Sequence, residues 1–249
     1  MQMEIEAGSL IGKREEQQDY YLYRSDEKCS YAILCDGMGG MNGGALASKI
    51  AATKLHEDFE KSQKAIPAFL KNEIEQLDSD IFCMKDVNGK SLHAGTTMIA
   101  VFAIKSELYW LTAGDSLLFI LRGNEMVQVN KEHNYELQLN EMLSYGIISK
   151  DQYDVEMKKG KRLISYLGVG NISIFDCNEV PFHLQNNDII ILCSDGVTNT
   201  IEKEYLKQLI CKSSSLRGAG MAISREITMR NKENQDNATY ILMKYAESE

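Results

Sequence analysis

Five aspartates carry the most chemistry in this sequence. Asp36 ends the apolar run Ala32 to Cys35 and is followed by Gly37-Met38-Gly39-Gly40. Asp115 ends the run Trp110 to Gly114 and precedes Ser116. Asp195 ends the run Ile189 to Ser194 and precedes Gly196. Asp236 and Asn237 open a last apolar stretch, and Asp19 opens Tyr20 to Tyr23. Each carboxylate is expected at a strand end beside a turn. One Asp-Gly after a strand is ordinarily just a turn, because Asp bonds its own backbone and Gly takes positive φ. Spacing alone does not bring the five together. If they do meet, their mutual repulsion requires protonation or bound cations. Carboxylate, carbonyl and water oxygens suit hard ions such as Mg²⁺ and Mn²⁺. His56, His93, His133 and His183 lie far apart without zinc-ligand spacing, so each reads as a surface or core residue.

Two glycine-rich stretches resemble nucleotide motifs and fail. Gly37 to Asn42 lacks the third glycine of the dinucleotide fingerprint. Gly89-Lys90-Ser91 lacks the earlier glycine of a phosphate-binding loop, since that position is Met84. Glycine lets a backbone approach a ligand closely, so a carbonyl beside Asp36 is free to join a metal shell. Gly43 and Gly44 read as a flexible strand-to-helix connection.

The elements that must position these acids follow from apolar spacing. Strands are expected at 4–11, 20–23 and 31–35. Ala47, Ile50, Ala51, Leu55 and Phe59 share one helical face, as do Ile66, Phe69, Leu70, Ile74, Leu77 and Ile81. Strands at 98–104, 108–113, 117–121 and 126–129 are joined at Ser106-Glu107, Gly114-Asp115-Ser116 and Gly123-Asn124. Links this tight make antiparallel hairpins, because parallel strands need long crossovers. The strands are apolar almost continuously, which implies cover on both faces. The expected fold is therefore α+β, two packed antiparallel sheets with helices outside. Residues 131–161 are polar and partly helical and read as a flap. Strands at 172–180 and 188–193, helices at 205–210 and 216–227 and a strand at 238–244 complete the chain. Without Pro-rich or Ser/Gly-rich linkers, residues 1–249 read as one domain.

The chain has 249 residues, 44% of them hydrophobic, and a formal net charge of −9. That length supports a sizeable core. The acidity excludes a cationic footprint for nucleic acid. No apolar run nears the ~20 residues that span a bilayer, and the start carries acids rather than a basic signal sequence. The six cysteines form no C-x-x-C pair and suit a reducing cytoplasm.

The ordered motif set resembles the protein phosphatase 2C family of metal-dependent phosphatases, especially its compact bacterial members. Gly12 to Asp19 resembles the first motif and Cys35 to Gly40 the second. Ala94 to Thr97, Ala113 to Ser116, Ser194 to Gly196 and Asp236 to Thr239 resemble the next four. The resemblance implies a four-layer α-β-β-α sandwich and a cytoplasmic, monomeric serine/threonine phosphatase in signalling. Its partners are phosphorylated proteins made by a kinase, with no nucleic acid and no membrane. It implies two core Mn²⁺ or Mg²⁺ ions. Asp36 bridges them, Asp195 and Asp236 hold one, and the Gly37 carbonyl helps hold the other, with Asp19 nearby. Asp115, with Asp195, corresponds to a weaker third site, and Arg14 to the arginine that binds substrate phosphate. The catalytic set is thus Asp36, Asp195, Asp236 and Arg14.

The chain departs from the family at three places. Gln17-Gln18-Asp19 replaces Asn-Glu-Asp, and neutral Gln18 removes a negative charge near the second metal. Met38 stands where many eukaryotic members have His, so the leaving-group proton comes from water or another group. Leu117 stands where the family often has Arg. Two alternatives compete with a general phosphatase: an inactive phosphatase-like binding protein, and a partner-switching phosphatase acting on an anti-sigma-factor antagonist. Retention of Asp36, Asp195 and Asp236 argues against the first.

Overall fold

The structure, a computed structural model, describes residues 2–26, 28–40 and 43–247. Met41 and Asn42 of the glycine-rich stretch lie outside the described residues. The chain runs β1 (Gln2–Leu10), β2 (Asp19–Ser25), β3 (Ser30–Met38), α1 (Gly43–Lys61) and α2 (Ile66–Phe82). It continues with β4 (Gly95–Thr96), β5 (Met98–Ile104), β6 (Glu107–Ala113), β7 (Leu117–Arg122) and β8 (Glu125–Gln128). Then come α3 (Tyr135–Ser144), α4 (Lys150–Glu156) and a 3₁₀ turn (Met157–Lys159). The remainder is β9 (Asp176–Cys177), β10 (Phe182–His183), β11 (Ile189–Cys193), α5 (Asp195–Thr198), α6 (Lys203–Lys212), α7 (Leu216–Arg230) and β12 (Ala238–Ala246). Among the described residues no helix is long and apolar enough to cross a membrane.

The described strands form two antiparallel sheets. The first has the order β1-β12-β11-β7-β8. The second has the order β10-β6-β5-β3-β2, with β4 pairing β3 and β9 pairing β6. The continuous apolar character of the strands reflects two covered faces. In β3, Tyr31, Ile33 and Cys35 pack with Leu55 of α1 and Leu70 of α2. The alternate residues Ala32 and Leu34 pack between the sheets against Leu192 and Ile241. In β12, Tyr240 and Leu242 meet Leu206 of α6 and Ile223 of α7, while Ile241 and Met243 face inward. These are the layers of the expected α+β sandwich, with helices outside both sheets.

Three local expectations are corrected. Ser106-Glu107 and Gly123-Asn124 do join antiparallel hairpins, β5–β6 and β7–β8. Gly114-Asp115-Ser116 does not: β6 lies in the second sheet and β7 in the first. Gly114 takes φ 102° there, and Thr97 Oγ1 and Ser116 Oγ hydrogen bond at 2.8 Å, so the chain turns between layers rather than back along one. The strand expected at 172–180 pairs only at Asp176–Cys177. Upstream of it, the Gly168, Gly170, Asn171 and Ile172 N–H groups donate to the buried Asp78 carboxylate instead of to a strand. Gly43 and Gly44 belong to the first turn of α1 and are buried. They are a close helix–strand approach, not a loose connection.

Candidate active site

Asp36 sits inside β3, two residues before its end, and is the register partner of Asp19 at the start of β2. Directly opposed residues place their Cβ atoms about 5 Å apart on one face, so the ladder itself sets two acids side by side. The Asp36 backbone is clamped. Its N–H donates to Thr97 Oγ1 at 3.0 Å, and its carbonyl accepts from Thr97 N–H at 2.8 Å and Thr96 Oγ1 at 2.9 Å. This explains the Gly95-Thr96-Thr97 motif, whose threonines position Asp36.

The Asp-Gly pairs do not behave as simple turns. Neither Gly37 nor Gly196 has a positive φ. A Cβ on Gly37 would stand 2.2 Å from the Gly44 carbonyl oxygen, and one on Gly196 would stand 1.9 Å from that of Asn237. Glycine is required because backbones pack against backbones behind the carboxylates. Asp195 opens α5, and its Oδ2 accepts from Asn199 Nδ2 at 3.0 Å. Fully buried Ser194 donates from Oγ to Asp19 Oδ2 at 2.9 Å and accepts from the Thr239 N–H at 2.9 Å.

Asp36, Gly37, Asp115, Asp195, Asp236 and Arg14 all line one open cavity of about 700 Å³. Asp19 stands behind it and reaches it through its pairing with Asp36. Sequence reasoning did not assign a role to Asn237, Ser194, Thr96 or Thr97. Asn237 is buried, accepts from Gln18 N–H at 2.8 Å, and donates to the carbonyls of Ile11 (2.8 Å) and Glu16 (3.1 Å). It ties the loop carrying Arg14 to the strand following Asp236. An Asn adjoining a candidate acid, yet more buried than a surface turn needs, is the kind of signal only a structure supplies. Gln18, the departure from the family motif, turns its amide to Glu16 Oε2 at 3.1 Å and the Gly39 carbonyl at 3.3 Å. Met38 lines the same cavity, where its thioether has no proton to give.

The acids strain one another. Burial, followed by the charges of Asp19, Asp195, Asp115 and Asp236, holds the Asp36 carboxyl well above the usual carboxylate range. Asp19 is pushed up to about 6, mainly by burial, with the hydroxyls of Thr239 and Ser194 opposing it. Asp115 is pushed up to about 6 by burial and by Asp195. Asp195 is raised by burial and by Asp236, with Lys161 and Arg14 opposing. Arg14 Nη2 donates to Asp236 Oδ2 at 2.5 Å. Among the described residues, no three His, Cys, Asp or Glu side chains close on a single point; the carboxylates are instead spread around the cavity wall. The residues present fit divalent cations. The donors are all oxygens, and Asp19 Oδ1 is buried without a hydrogen-bond partner among the described residues.

A family model, protein phosphatase 2C, matches residues 9–222. The chain belongs to the protein phosphatase 2C family. It is 28% identical over 232 residues to the serine/threonine phosphatase Stp of Listeria welshimeri, covering 89% of this chain and 87% of that one. Among solved structures it superposes on the Streptococcus agalactiae serine/threonine phosphatase with a TM-score of 0.83 at 23% identity, covering 99% and 100% of the two chains. It also superposes on the catalytic domain of the phosphatase PstP in complex with two manganese ions, with a TM-score of 0.74 at 19% identity and 98% of each chain covered. The matched residues contain five of the six motifs, from Gly12 to Gly196, and the sixth, Asp236 to Thr239, follows them.

Proposed function

We infer that this protein phosphatase 2C member hydrolyses phosphoserine and phosphothreonine in proteins, using divalent cations. The observation that carries the inference is one cavity walled by Asp36, Asp115, Asp195 and Asp236 with Arg14 at its rim. Asp36, Asp195, Asp236 and the Gly37 carbonyl would hold two Mn²⁺ or Mg²⁺ ions, with Asp19 beside Asp36. Asp115 and Asp195 form a third, weaker position. Ions bound there lower the pKa of coordinated water to make a nucleophile and neutralise phosphoryl charge. The relative crystallised with two manganese ions supports that stoichiometry.

The chain's own residues do the rest. Arg14 is a planar fork suited to two phosphoryl oxygens. It is paired with Asp236 at the cavity wall, which holds the guanidinium beside the place a phosphoryl group would occupy. Thr96, Thr97 and Asn237 fix the backbones behind the acids, so phosphate meets a preorganised field. The substrates are phosphoproteins made by a serine/threonine kinase, and the flap at 131–161 tunes which of them enter. Its end, Lys161, already lines the cavity.

The test is hydrolysis of a phosphothreonine peptide with Mn²⁺, with Mg²⁺ and with EDTA, for wild type and Asp36→Asn. Activity that needs the metal and falls at least about a thousandfold in the variant is the expected result. A folded protein that binds Mn²⁺ but leaves every phosphoester intact would overturn the inference.

A further inference from the structure

A second hollow lies beside the catalytic cavity. It has a volume of about 360 Å³ and is floored by Leu10, Ile11 and Ile227, with Thr228 and Asn231 on its α7 side. It is not isolated. Lys13 lines both this hollow and the catalytic cavity, and a third hollow of about 350 Å³, lined by Lys13, Arg14, Glu233, Asn234 and Gln235, adjoins both. The three hollows share Lys13 and follow one another along the surface, from Arg14 to Leu10, Ile11 and Ile227.

The groove wall is rigid relative to the catalytic residues. Lys13 N–H donates to the Gln235 carbonyl at 2.8 Å, and the Ile11 carbonyl accepts from Asn237 Nδ2 at 2.8 Å. Gly12, at φ 66°, lies so close to this strand that a Cβ would stand 2.4 Å from the Asp236 carbonyl oxygen. Residues 11–13 are therefore fixed to 235–237, which carry Asp236. A group held in the hollow is held at a set distance from the catalytic site. Ile11 is 46% exposed and lines the same hollow as the buried Ile227, and isolated exposure next to a concave apolar floor is what a binding pocket offers.

We propose that this groove is a substrate subsite, which takes an apolar side chain of the phosphoprotein a few residues from the phosphorylated serine or threonine. The proposal rests on the phosphatase reading and deepens it, because it specifies substrate sequence. Its occupant follows from continuity with the catalytic cavity. A polypeptide whose phosphate meets Arg14 has to leave across Lys13 or over the flap, and the Lys13 exit leads onto Leu10, Ile11 and Ile227. The main chain crosses the polar hollow, where Glu233 and Asn234 accept and donate hydrogen bonds, and the apolar side chain seats beyond it. Binding at this remote point contributes to transition-state stabilisation by orienting the phosphoryl group.

The experiment uses the full chain with Mn²⁺. Phosphothreonine peptides carry leucine at each of two to six positions on either side, in an alanine background, and p-nitrophenyl phosphate serves as a substrate too small to reach the groove. Leucine at one position is expected to raise kcat/KM about tenfold over alanine. Ile11→Ser, which removes the exposed floor, and Thr228→Trp, which fills the hollow, each abolish most of that preference. Both leave p-nitrophenyl phosphate hydrolysis within about twofold of wild type. The proposal fails if no position prefers leucine, in which case the groove serves a second copy or a small effector. It fails equally if the preference survives both variants, or if they depress p-nitrophenyl phosphate hydrolysis in step with peptide hydrolysis. Inertness of wild type toward every substrate would be a failure of the phosphatase reading itself, and the small substrate distinguishes the two.

Discussion

Asp115→Asn should stabilise the cation-free protein while weakening its response to metal. Burial and Asp195 push the Asp115 carboxyl up to about 6, from an ordinary 3.8. A raised folded pKa means that the native state binds a proton the unfolded chain has released. The contribution is therefore present below the unfolded pKa and lost as pH rises through the folded one. At pH 7.5 the ionised Asp115 costs about 3 kcal/mol, from 1.36 kcal/mol per pKa unit. Asparagine keeps the shape and removes the charge, but its buried amide recovers only part of this, leaving a gain of about 1–2 kcal/mol. For a chain of this size that is a Tm increase of about 3–6 °C. Thermal unfolding in EDTA at pH 7.5 and pH 4.5 measures it. The gain should vanish or turn into a slight loss at pH 4.5, where the wild-type carboxyl is mostly protonated and only the cost of the buried amide remains. Added Mn²⁺ should raise the wild-type Tm more than the variant's. A variant no more stable than wild type in EDTA at pH 7.5, or one with the same gain at both pH values, would refute the idea that Asp115 is a carboxylate strained in the absence of cations.

Three other perturbations separate binding from architecture. Arg14→Lys keeps a charge but loses the fork, so kcat/KM for a phosphopeptide should drop about 10–100-fold, mostly through KM, in steady-state assays. Asn237→Ala removes three hydrogen bonds that hold the loop at 11–18. Urea unfolding should show a loss of about 3 kcal/mol, with activity falling in parallel. Asp78→Ala orphans the four N–H groups of residues 168–172 that the carboxylate now accepts. Its cost should be on the order of 3–5 kcal/mol by the same measurement, with Mn²⁺ affinity little changed because the residue lies outside the cavity.

The layers were legible because burial on two faces suppresses alternation, and β3 and β12 print that directly as unbroken apolar runs. Their helices were legible because one packed face repeats at helical spacing; α2 buries Ile66, Phe69, Leu70, Ile74, Leu77 and Ile81, all of them on the predicted face. What was not legible depends on contacts between distant residues. A three-residue link looks the same whether it folds a hairpin or carries the chain between sheets, and Gly114 to Ser116 does the second because Thr97, remote in sequence, holds Ser116. Asp78 falls between apolar helical positions and looks like surface, yet it replaces a strand's hydrogen bonds at 168–172. The candidate acids were visible as residue types, while the scaffold of Thr96, Thr97, Ser194 and Asn237 was hidden in motifs whose polar members look interchangeable.

The placement of the acids gives the sandwich a reason to respond to cations as a whole. Asp19 and Asp36 belong to the second sheet, through β2 and β3. Asp195 and Asp236 flank β11 and β12 of the first sheet, and Asp115 sits in the link that passes from one sheet to the other. The cavity therefore lies at the seam between the two sheets, and each sheet supplies part of its acidic lining. The seam carries mutually repelling carboxylates, offset in part by Arg14, by Lys161 and by the hydroxyls of Ser194 and Thr239. A cation bound among these carboxylates would offset that repulsion. Because both sheets contribute acids to one cavity, stability and catalytic competence should rise together as metal is added.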